Sequence, residues 1–469
     1  MHIKLTWHMD RSYGIMQGVD IRIAHRSSPM TMIEQVAAAL QDLLISVAHR
    51  LAHDTQFVQR ESKLDGATFV QTLVFTYLAD PTATLDDLTQ TAAALDVEIT
   101  TSGLTQRFTP AAATFLQRLL AVAVQRVVAA DPLAIPILTQ FAGVYIEDST
   151  VIVLPPALCE LWQGCGNATG QGTAAIKLTL RLDLTTGLIA GLSLHDGRVH
   201  DSQTAHPVTR LPAESLYLAD LGFFSLERLQ QIANQGGFFL SRLHAQTTVF
   251  TTDGTRWDDL SALLATQAAT VDLPVTLGVR HRLPVRLIAL RAPQEVVDQR
   301  RRRLRAEAQR RGTTVSARQL ALAAWTILIT NAPLTRLPLT AALTVARARW
   351  QIELLFKLWK SHGRIDESRS GKPWRVICDV YAKLLAMLIQ HWIWLINFWD
   401  YPDRSLAKAA RTVQKYALQL VGHLWDRDRT IETLTTITRC LAVGCRMNPR
   451  RKHPNTYQTL LAASEHLLA

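Results

Sequence analysis

The chain has 469 residues, with 50 lysines and arginines against 39 aspartates and glutamates, a formal net charge of +11. A hydrophobic fraction of 48% is ordinary for a globular protein and excludes a largely disordered chain. The longest apolar run, 384–399, is interrupted by polar residues, so it predicts a buried core helix rather than a membrane span. Five cysteines without a C-x-x-C pair, and an N-terminus without a signal-peptide core, predict a soluble, cytoplasmic protein.

The first 135 residues carry a helical pattern, which predicts an N-terminal domain (1–135) that binds DNA. Thr84 followed by Asp87 is typical of a capped helix start. The segment 84–128 has the outline of a helix-turn-helix, in which Arg107 and the two residues before it would face a DNA groove. A plain helical bundle explains the same pattern equally well.

From residue 136 the pattern changes to strands. Strict alternation of apolar and polar residues in 176–184 predicts a half-buried strand, and Gly187 begins a return strand in a hairpin. A strand at 215–219, a helix at 225–234 and a strand at 238–243 follow. This order predicts a mixed α/β sheet whose first part spans 136–243.

The segment 244–320 interrupts the core and is predicted to be a mostly β insertion with an Arg-rich helix. Between Arg280 and Arg311 there are eleven arginines and three acids, a local balance of +8 that attracts polyanions, chiefly nucleic acid. Residues 321–372 are predicted to complete the core with a strand and a long helix, 338–360. The last part, 373–469, is predicted to be helical and suited to dimerisation and DNA contacts.

Three carboxylates lie in apolar, strongly structured surroundings where an unpaired charge is costly. Asp148 is inside an apolar strand, Asp220 ends another, and Glu353 lies on an apolar helix. Such acids can together hold hard divalent cations for phosphodiester chemistry. Each also has a structural explanation: an Asx turn with Ser149, a helix cap, and an ion pair with Arg349, respectively.

The sequence around these acids contains three recognisable motifs. They read Tyr145-Ile-Glu-Asp148-Ser-Thr, Leu218-Ala-Asp220-Leu-Gly-Phe and Arg349-(3)-Glu353-(6)-Lys360. With them the chain resembles, over 141–399, the DDE transposases of bacterial insertion sequences. The similar group has the signature Tyr-(2)-Arg-(3)-Glu-(6)-Lys, and Ala346 stands here at the Tyr position. The resemblance implies an RNase H-like, mixed five-stranded sheet with an inserted β region.

The resemblance also implies roles for individual residues. Asp148, Asp220 and Glu353 would be the catalytic triad, binding two Mg²⁺ ions, for which Mn²⁺ can substitute. The residues that would contact DNA are Arg242, Trp325, Arg347, Arg349, Lys357 and Lys360. Among these, Trp325 would fill the gap left by a flipped base, or else be a core aromatic of its strand. For the missing Tyr there are three alternatives: Arg347 replaces it, the protein handles its DNA end differently, or the site has decayed.

A protein of this kind would bind the terminal inverted repeats of its element, cleave them and join them to target DNA. Cut-and-paste transposition with a hairpin intermediate is the expected route, carried out by a homodimer in a synaptic complex with double-stranded DNA and no membrane. Two alternatives stay open. One is an RNase H-fold nuclease without strand transfer; the other is a non-catalytic or domesticated DNA-binding protein, which Ala346 favours.

Overall fold

The structure is a computed structural model. It describes residues 29–60, 63–133, 135–166, 173–257, 260–265, 269–396, 404–447 and 459–460. Part of the predicted C-terminal region, and the first 28 residues, therefore lie outside the described residues.

Helices occupy both ends of the described chain, and shorter groups of helices lie between the strands. Their bounds are α1 Pro29–Gln41, α2 Ala48–Asp54, α3 Gly66–Ala79, α4 Leu85–Ala93, α5 Thr101–Arg107, α6 Pro110–Gln125, α7 Asp201–Thr204, α8 Leu226–Asn234, α9 Leu260–Ala265, α10 Gln294–Arg310, α11 Ala317–Leu322, α12 Leu339–Ala348, α13 Trp350–Ser361, α14 Pro373–Leu395, α15 Leu406–His423 and α16 Arg427–Gly444. Thr84 caps α4 in a capping box with Asp87, as predicted.

The strands are β1 Val144–Leu154, β2 Ala174–Asp183, β3 Ile189–Asp196, β4 Leu216–Ala219, β5 Phe238–Arg242, β6 Val249–Phe250, β7 Arg256–Trp257, β8 Thr270–Leu277, β9 Leu283–Arg291 and β10 Trp325–Thr330. They form one sheet in the order β3-β2-β1-β4-β5-β10-β9-β8-β6-β7. Strands β1, β4 and β5 are parallel to one another, whereas β2 and β3 are antiparallel to their neighbours, as in the predicted hairpin.

The sheet is larger than the sequence predicted. Five strands were expected, with the segment 244–320 as a separate insertion, but within the described residues ten strands are hydrogen-bonded side by side. The reason is that β10 pairs with β5 on one edge and with β9 on the other, so the inserted strands continue the sheet. Unpaired backbone groups at a sheet edge favour such an extension.

Alternating side chains divide the core into two layers, one on each face of the sheet. Ile146 and Ile152 of β1 join a cluster with α3, α6, α13 and α14, whereas Tyr145 joins a second cluster with α8 and the strands β8 and β9. The first cluster also includes residues of α15 and α16. The N-terminal and C-terminal helices therefore share one core, and the predicted domain boundaries stay predictions.

Helix α14 is the central helix of the first layer. Every residue from Arg375 to Leu395 is buried, and the helix packs against α3, α6 and α15. By length and apolar composition alone, two helices of the described residues could cross a membrane, Thr31–Asp54 and this one. Because protein surrounds α14 on all sides, the prediction of a core helix at 384–399 is confirmed for its described part.

Glu147 anchors the sheet on the face opposite to Asp148. Its carboxylate is fully buried and accepts hydrogen bonds from Arg181 (3.1 Å), Arg228 (3.0 Å), the Tyr217 hydroxyl (2.7 Å) and the His206 backbone N–H (2.7 Å). Burial alone would raise the pKa of this carboxyl, but the neighbouring positive charges outweigh burial and hold the pKa below its ordinary value. This network ties β1, β2, β4 and α8 together.

Removing this carboxylate should destabilise the fold strongly. Glu147→Ala leaves the buried Arg181 guanidinium without its counter-charge, and we expect a loss of about 3–5 kcal/mol in the free energy of unfolding. Denaturant titration measures it, with Val153→Ala, an exposed position on the same strand, as the control. An unfolding free energy of Glu147→Ala equal to that of the control would contradict the anchoring role.

Candidate active site

The three predicted acids lie on three separate elements that meet at one edge of the sheet. Asp148 lies within β1, Asp220 directly follows β4, and Glu353 is in the first turn of α13. Strands β1 and β4 are adjacent and parallel, so their carboxyl ends meet at the same edge. Helix α13 packs against β1, which brings Glu353 over that edge.

The guanidinium of Arg349 joins the three carboxylates. Its nitrogens lie 2.7 Å from Glu353 Oε1, 3.3 Å from Asp148 Oδ2 and 3.8 Å from Asp220 Oδ1. The predicted helix 338–360 is interrupted at this arginine, between α12 and α13. The ion pair proposed from the sequence as an alternative for Glu353 therefore exists, but it extends to all three acids.

The surroundings of Asp148 shift its protonation. Burial, together with the repulsion of Asp220 and Glu353, raises the pKa of Asp148 to about 6, although Arg349 and the Ser149 N–H oppose this. Asp148 also accepts a hydrogen bond of 2.8 Å from the Ser149 backbone N–H, but this bond joins adjacent residues of β1 and is not an Asx turn, which would reach residue 150. A positive charge beside these carboxylates would favour their ionised forms.

The three acids line a cleft of about 770 Å³. Lys357 and Lys360 line it, one and two turns after Glu353 on α13. Lys357 is exposed, and the Lys360 ammonium donates to the Val151 carbonyl at 2.9 Å. Cations on the wall of an acidic cleft are suited to a polyanionic substrate whose phosphate lies next to bound metal.

The donor set fits a hard divalent cation, because all three side chains supply carboxylate oxygens. As they stand, the acids surround Arg349, and within the described residues no group of three or more His, Cys, Asp or Glu side chains has the geometry to hold a metal ion. Asp148, Asp220 and Glu353 would therefore hold such an ion only once Arg349 is displaced from between them.

Two further predicted cations lie at the surface near this edge. Arg242, the last residue of β5, and Arg347, at the end of α12, are both exposed. Arg242 lies close enough to Arg300 of the Arg-rich helix α10 for their charges to repel, while burial lowers the pKa of Arg300. Ala346, at the signature Tyr position, is half-buried and packs against the core.

Arg107 and Trp325 do not face this cleft. The Arg107 guanidinium is half-buried over the Phe57 ring, 4.6 Å from its centroid, and donates to the Leu64 carbonyl at 3.2 Å. Trp325 is 7% exposed and belongs to the second core cluster, which agrees with the alternative of a core aromatic. Their predicted DNA contacts would require both side chains to leave these positions.

Sequence reasoning missed Trp350, which begins α13 one turn before Glu353. It is 55% exposed, and the next exposed apolar residue on its face is Leu354. Exposed tryptophan is unusual because the side chain buries a large apolar area in most folds. The signal was present in the sequence, since the helical positions 350, 354 and 357 lie on a different face from the buried Ile352 and Leu355.

Comparisons with known proteins agree with this geometry. Residues 139–389 match the family model described as "Transposase DDE domain". The chain is similar to the transposase for insertion sequence element IS231F of Bacillus thuringiensis subsp. israelensis, 25% identical over 83% of this chain and 86% of that protein. It is also similar to the IS231C transposase of Bacillus thuringiensis subsp. berliner (28%, over 73% and 76%) and the IS1151 transposase of Clostridium perfringens (24%, over 74% and 77%).

Neutralising Asp148 should stabilise the metal-free protein near neutral pH. Because its folded-state pKa, about 6, exceeds the ordinary 3.8, the protonated form favours folding below about pH 4 and this contribution is lost as the pH rises through 6. Asp148→Asn keeps an oxygen acceptor for the Ser149 N–H but loses the oxygen that accepts from Arg349 at 3.3 Å. We therefore expect it to be more stable than the wild type at pH 7.5, by less than about 3 kcal/mol.

Denaturant titration at pH 4 and pH 7.5 measures this difference, which should vanish at the lower pH. Glu98→Gln, at an exposed position, is the control and should change stability little at either pH. An Asp148→Asn variant less stable than the wild type at pH 7.5 would rule out the strain between these charges.

Proposed function

The chain belongs to the DDE transposases of bacterial insertion sequences, and on that premise we propose that Asp148, Asp220 and Glu353 are the metal-binding catalytic acids with which it cleaves and joins DNA. The observation that carries the proposal is the convergence of these three carboxylates on one guanidinium. They come from distant parts of the chain, and a folding role alone does not require three acids to share a single counter-charge.

Divalent metal use is general in this family. When bound, such ions activate a water or hydroxyl and stabilise the leaving oxygen of a phosphodiester. Mg²⁺ is the ion that we propose, with Mn²⁺ as a substitute, because the oxygen donors suit both. The chain's own part is to hold the carboxylates at fixed separations, within β1, directly after β4 and in the first turn of α13.

The cations around the acids would hold the DNA backbone. Lys357 and Lys360 line the cleft, while Arg242 and Arg347 are exposed near it. Arg349 would move from the carboxylates to a phosphate when metal takes its place, since a guanidinium pairs with either anion. The exposed arginines of α10 extend this positive surface, and binding should weaken steeply with salt.

Further features of the proposal follow from the family. The strand order β3-β2-β1-β4-β5, with β1, β4 and β5 parallel, supports an RNase H-like core. We propose that the substrates are terminal inverted repeats and target DNA, and that a homodimer pairs two ends. We also propose that cleavage proceeds by cut-and-paste with a hairpin intermediate.

Single substitutions of the acids test the catalytic assignment. Asp148→Ala, Asp220→Ala and Glu353→Ala should each abolish metal-dependent cleavage of an inverted-repeat end, while the affinity for that end stays close to the wild-type value. Cleavage is measured on labelled duplex and binding by fluorescence anisotropy. Asp366→Ala, another acid of the cleft, is the control. Normal cleavage by all three variants would overturn the assignment.

The same assay separates the proposed transposase from a nuclease with this fold. A transposase gives products in which the cut end is joined to target DNA, whereas a nuclease gives cut ends alone. A domesticated DNA-binding protein would give neither product with Mg²⁺ or Mn²⁺.

Trp350 is our candidate for stacking on an unpaired base near the cleaved phosphate. Aromatic stacking contributes about 1–3 kcal/mol per base and needs an exposed ring, which Trp350 offers and Trp325 does not. Trp350→Ala should therefore lower cleavage by about 10-fold or more, and Trp350→Phe should retain part of it. Enhanced fluorescence of 2-aminopurine at the terminal base measures the unstacking. Equal signals for the wild type and Trp350→Ala would exclude this role.

A further inference from the structure

Behind the proposed active site, on the other face of β1, the carboxylate of Asp201 contacts the segments that bear two of the three acids. Residues 148 and 149 point to opposite faces of the sheet, so Ser149 lies on the face away from Arg349. The Ser149 hydroxyl donates to Asp201 Oδ1 at 2.8 Å. Asp201 therefore holds β1 at the residue next to Asp148.

A buried lysine fixes the other side of this carboxylate. Lys177 of β2 lies 2.7 Å from Asp201 Oδ1 and also donates to the Val199 carbonyl. Only 11% of the Lys177 side chain is exposed. The short helix α7 is further attached to β2 by the hydroxyl pair Thr204–Thr179, at 2.9 Å. Asp201 is thus anchored to the sheet independently of Ser149.

The turn after Asp220 packs directly on the same carboxylate. A Cβ atom added at Gly222 would lie 2.5 Å from Asp201 Oδ2 and 3.2 Å from Asp201 Cβ, so either the turn or the Asp201 carboxylate would have to shift. Residues 221–223 form a single tight turn that contacts α7. Glycine at position 222 is therefore what allows this turn, and with it Asp220, to approach Asp201.

We propose that Asp201 is a positioning residue that sets the separation of the Asp148 and Asp220 carboxylates. The inference rests on the proposed function of those two acids. One carboxylate touches the residue after Asp148 and the turn after Asp220, and Lys177 keeps it in place. Hydrogen-bond partners behind metal ligands typically change metal affinity or activity by about 10- to 100-fold when they are removed.

Metal binding by the full-length protein without DNA tests this proposal independently of activity. Calorimetric titration with Mn²⁺ should give an affinity about 10- to 100-fold weaker for Asp201→Ala than for the wild type. Asp201→Asn, which still accepts from Ser149 but loses the charge next to Lys177, should lie between the two. In single-turnover cleavage, the rate should fall similarly while the affinity for the DNA end is unchanged.

Ser202→Ala is the matched control. It removes an exposed hydroxyl that contacts the His200 ring on the same short helix but touches neither Ser149 nor Gly222. It should leave Mn²⁺ affinity and cleavage rate as in the wild type. If Asp201→Ala matches this control in Mn²⁺ affinity and cleavage rate, Asp201 has a structural role only and the proposal is overturned.

If Asp201→Ala folds poorly, a second variant tests the contact between Asp201 and Gly222 from the Gly222 side. Gly222→Ala pushes the turn away from Asp201, so it should weaken Mn²⁺ binding on its own. Its effect should shrink in the Asp201→Ala background, where the obstructing oxygen is gone; additive effects would contradict the contact. A wild-type protein that neither binds Mn²⁺ more tightly than Asp148→Asn nor cleaves an inverted-repeat end with it would instead overturn the proposed function itself.

Discussion

The edge of the sheet that bears the three converging carboxylates depends on their neutralisation by Arg349. Burial, with smaller contributions from the two neighbouring acids, raises the pKa of Asp148 to about 6, so an uncompensated charge there is costly. Arg349 supplies the counter-charge and contacts acids on β1, directly after β4 and at the start of α13. The guanidinium holds these elements together in a position that a metal ion could take over.

The acids on the two faces of β1 differ in how far their negative charge is compensated by neighbouring groups. Glu147 points into the layer formed with α8 and is satisfied by Arg181, Arg228 and Tyr217, so its charge serves the fold. Asp148, one residue later, points to the opposite face, where only Arg349 and a backbone N–H oppose its burial. An acid with full compensation stabilises the sheet, whereas an under-compensated one is available for binding a cation.

The surroundings of the acids place cations and an aromatic ring where a nucleic acid would approach. Lys357 lies in the cleft, Arg242 and Arg347 are exposed close by, and Trp350 projects from the start of α13. Two predicted DNA contacts are less accessible, because Trp325 is buried in the core and Arg107 is half-buried against Phe57. Accessibility, rather than residue type, therefore distinguishes candidates for DNA contact.

The sequence alone determined the mixed α/β class of the fold and selected the three acids that we propose as catalytic, because alternation, capping and motif spacing are local properties that need no tertiary contact. It also indicated the basic insertion. Only the tertiary structure decided that the inserted strands continue one sheet, that Trp350 is exposed while Trp325 is buried, and that Asp201 touches the segments of Asp148 and Asp220. These outcomes depend on contacts between residues far apart in the chain, which no local pattern encodes.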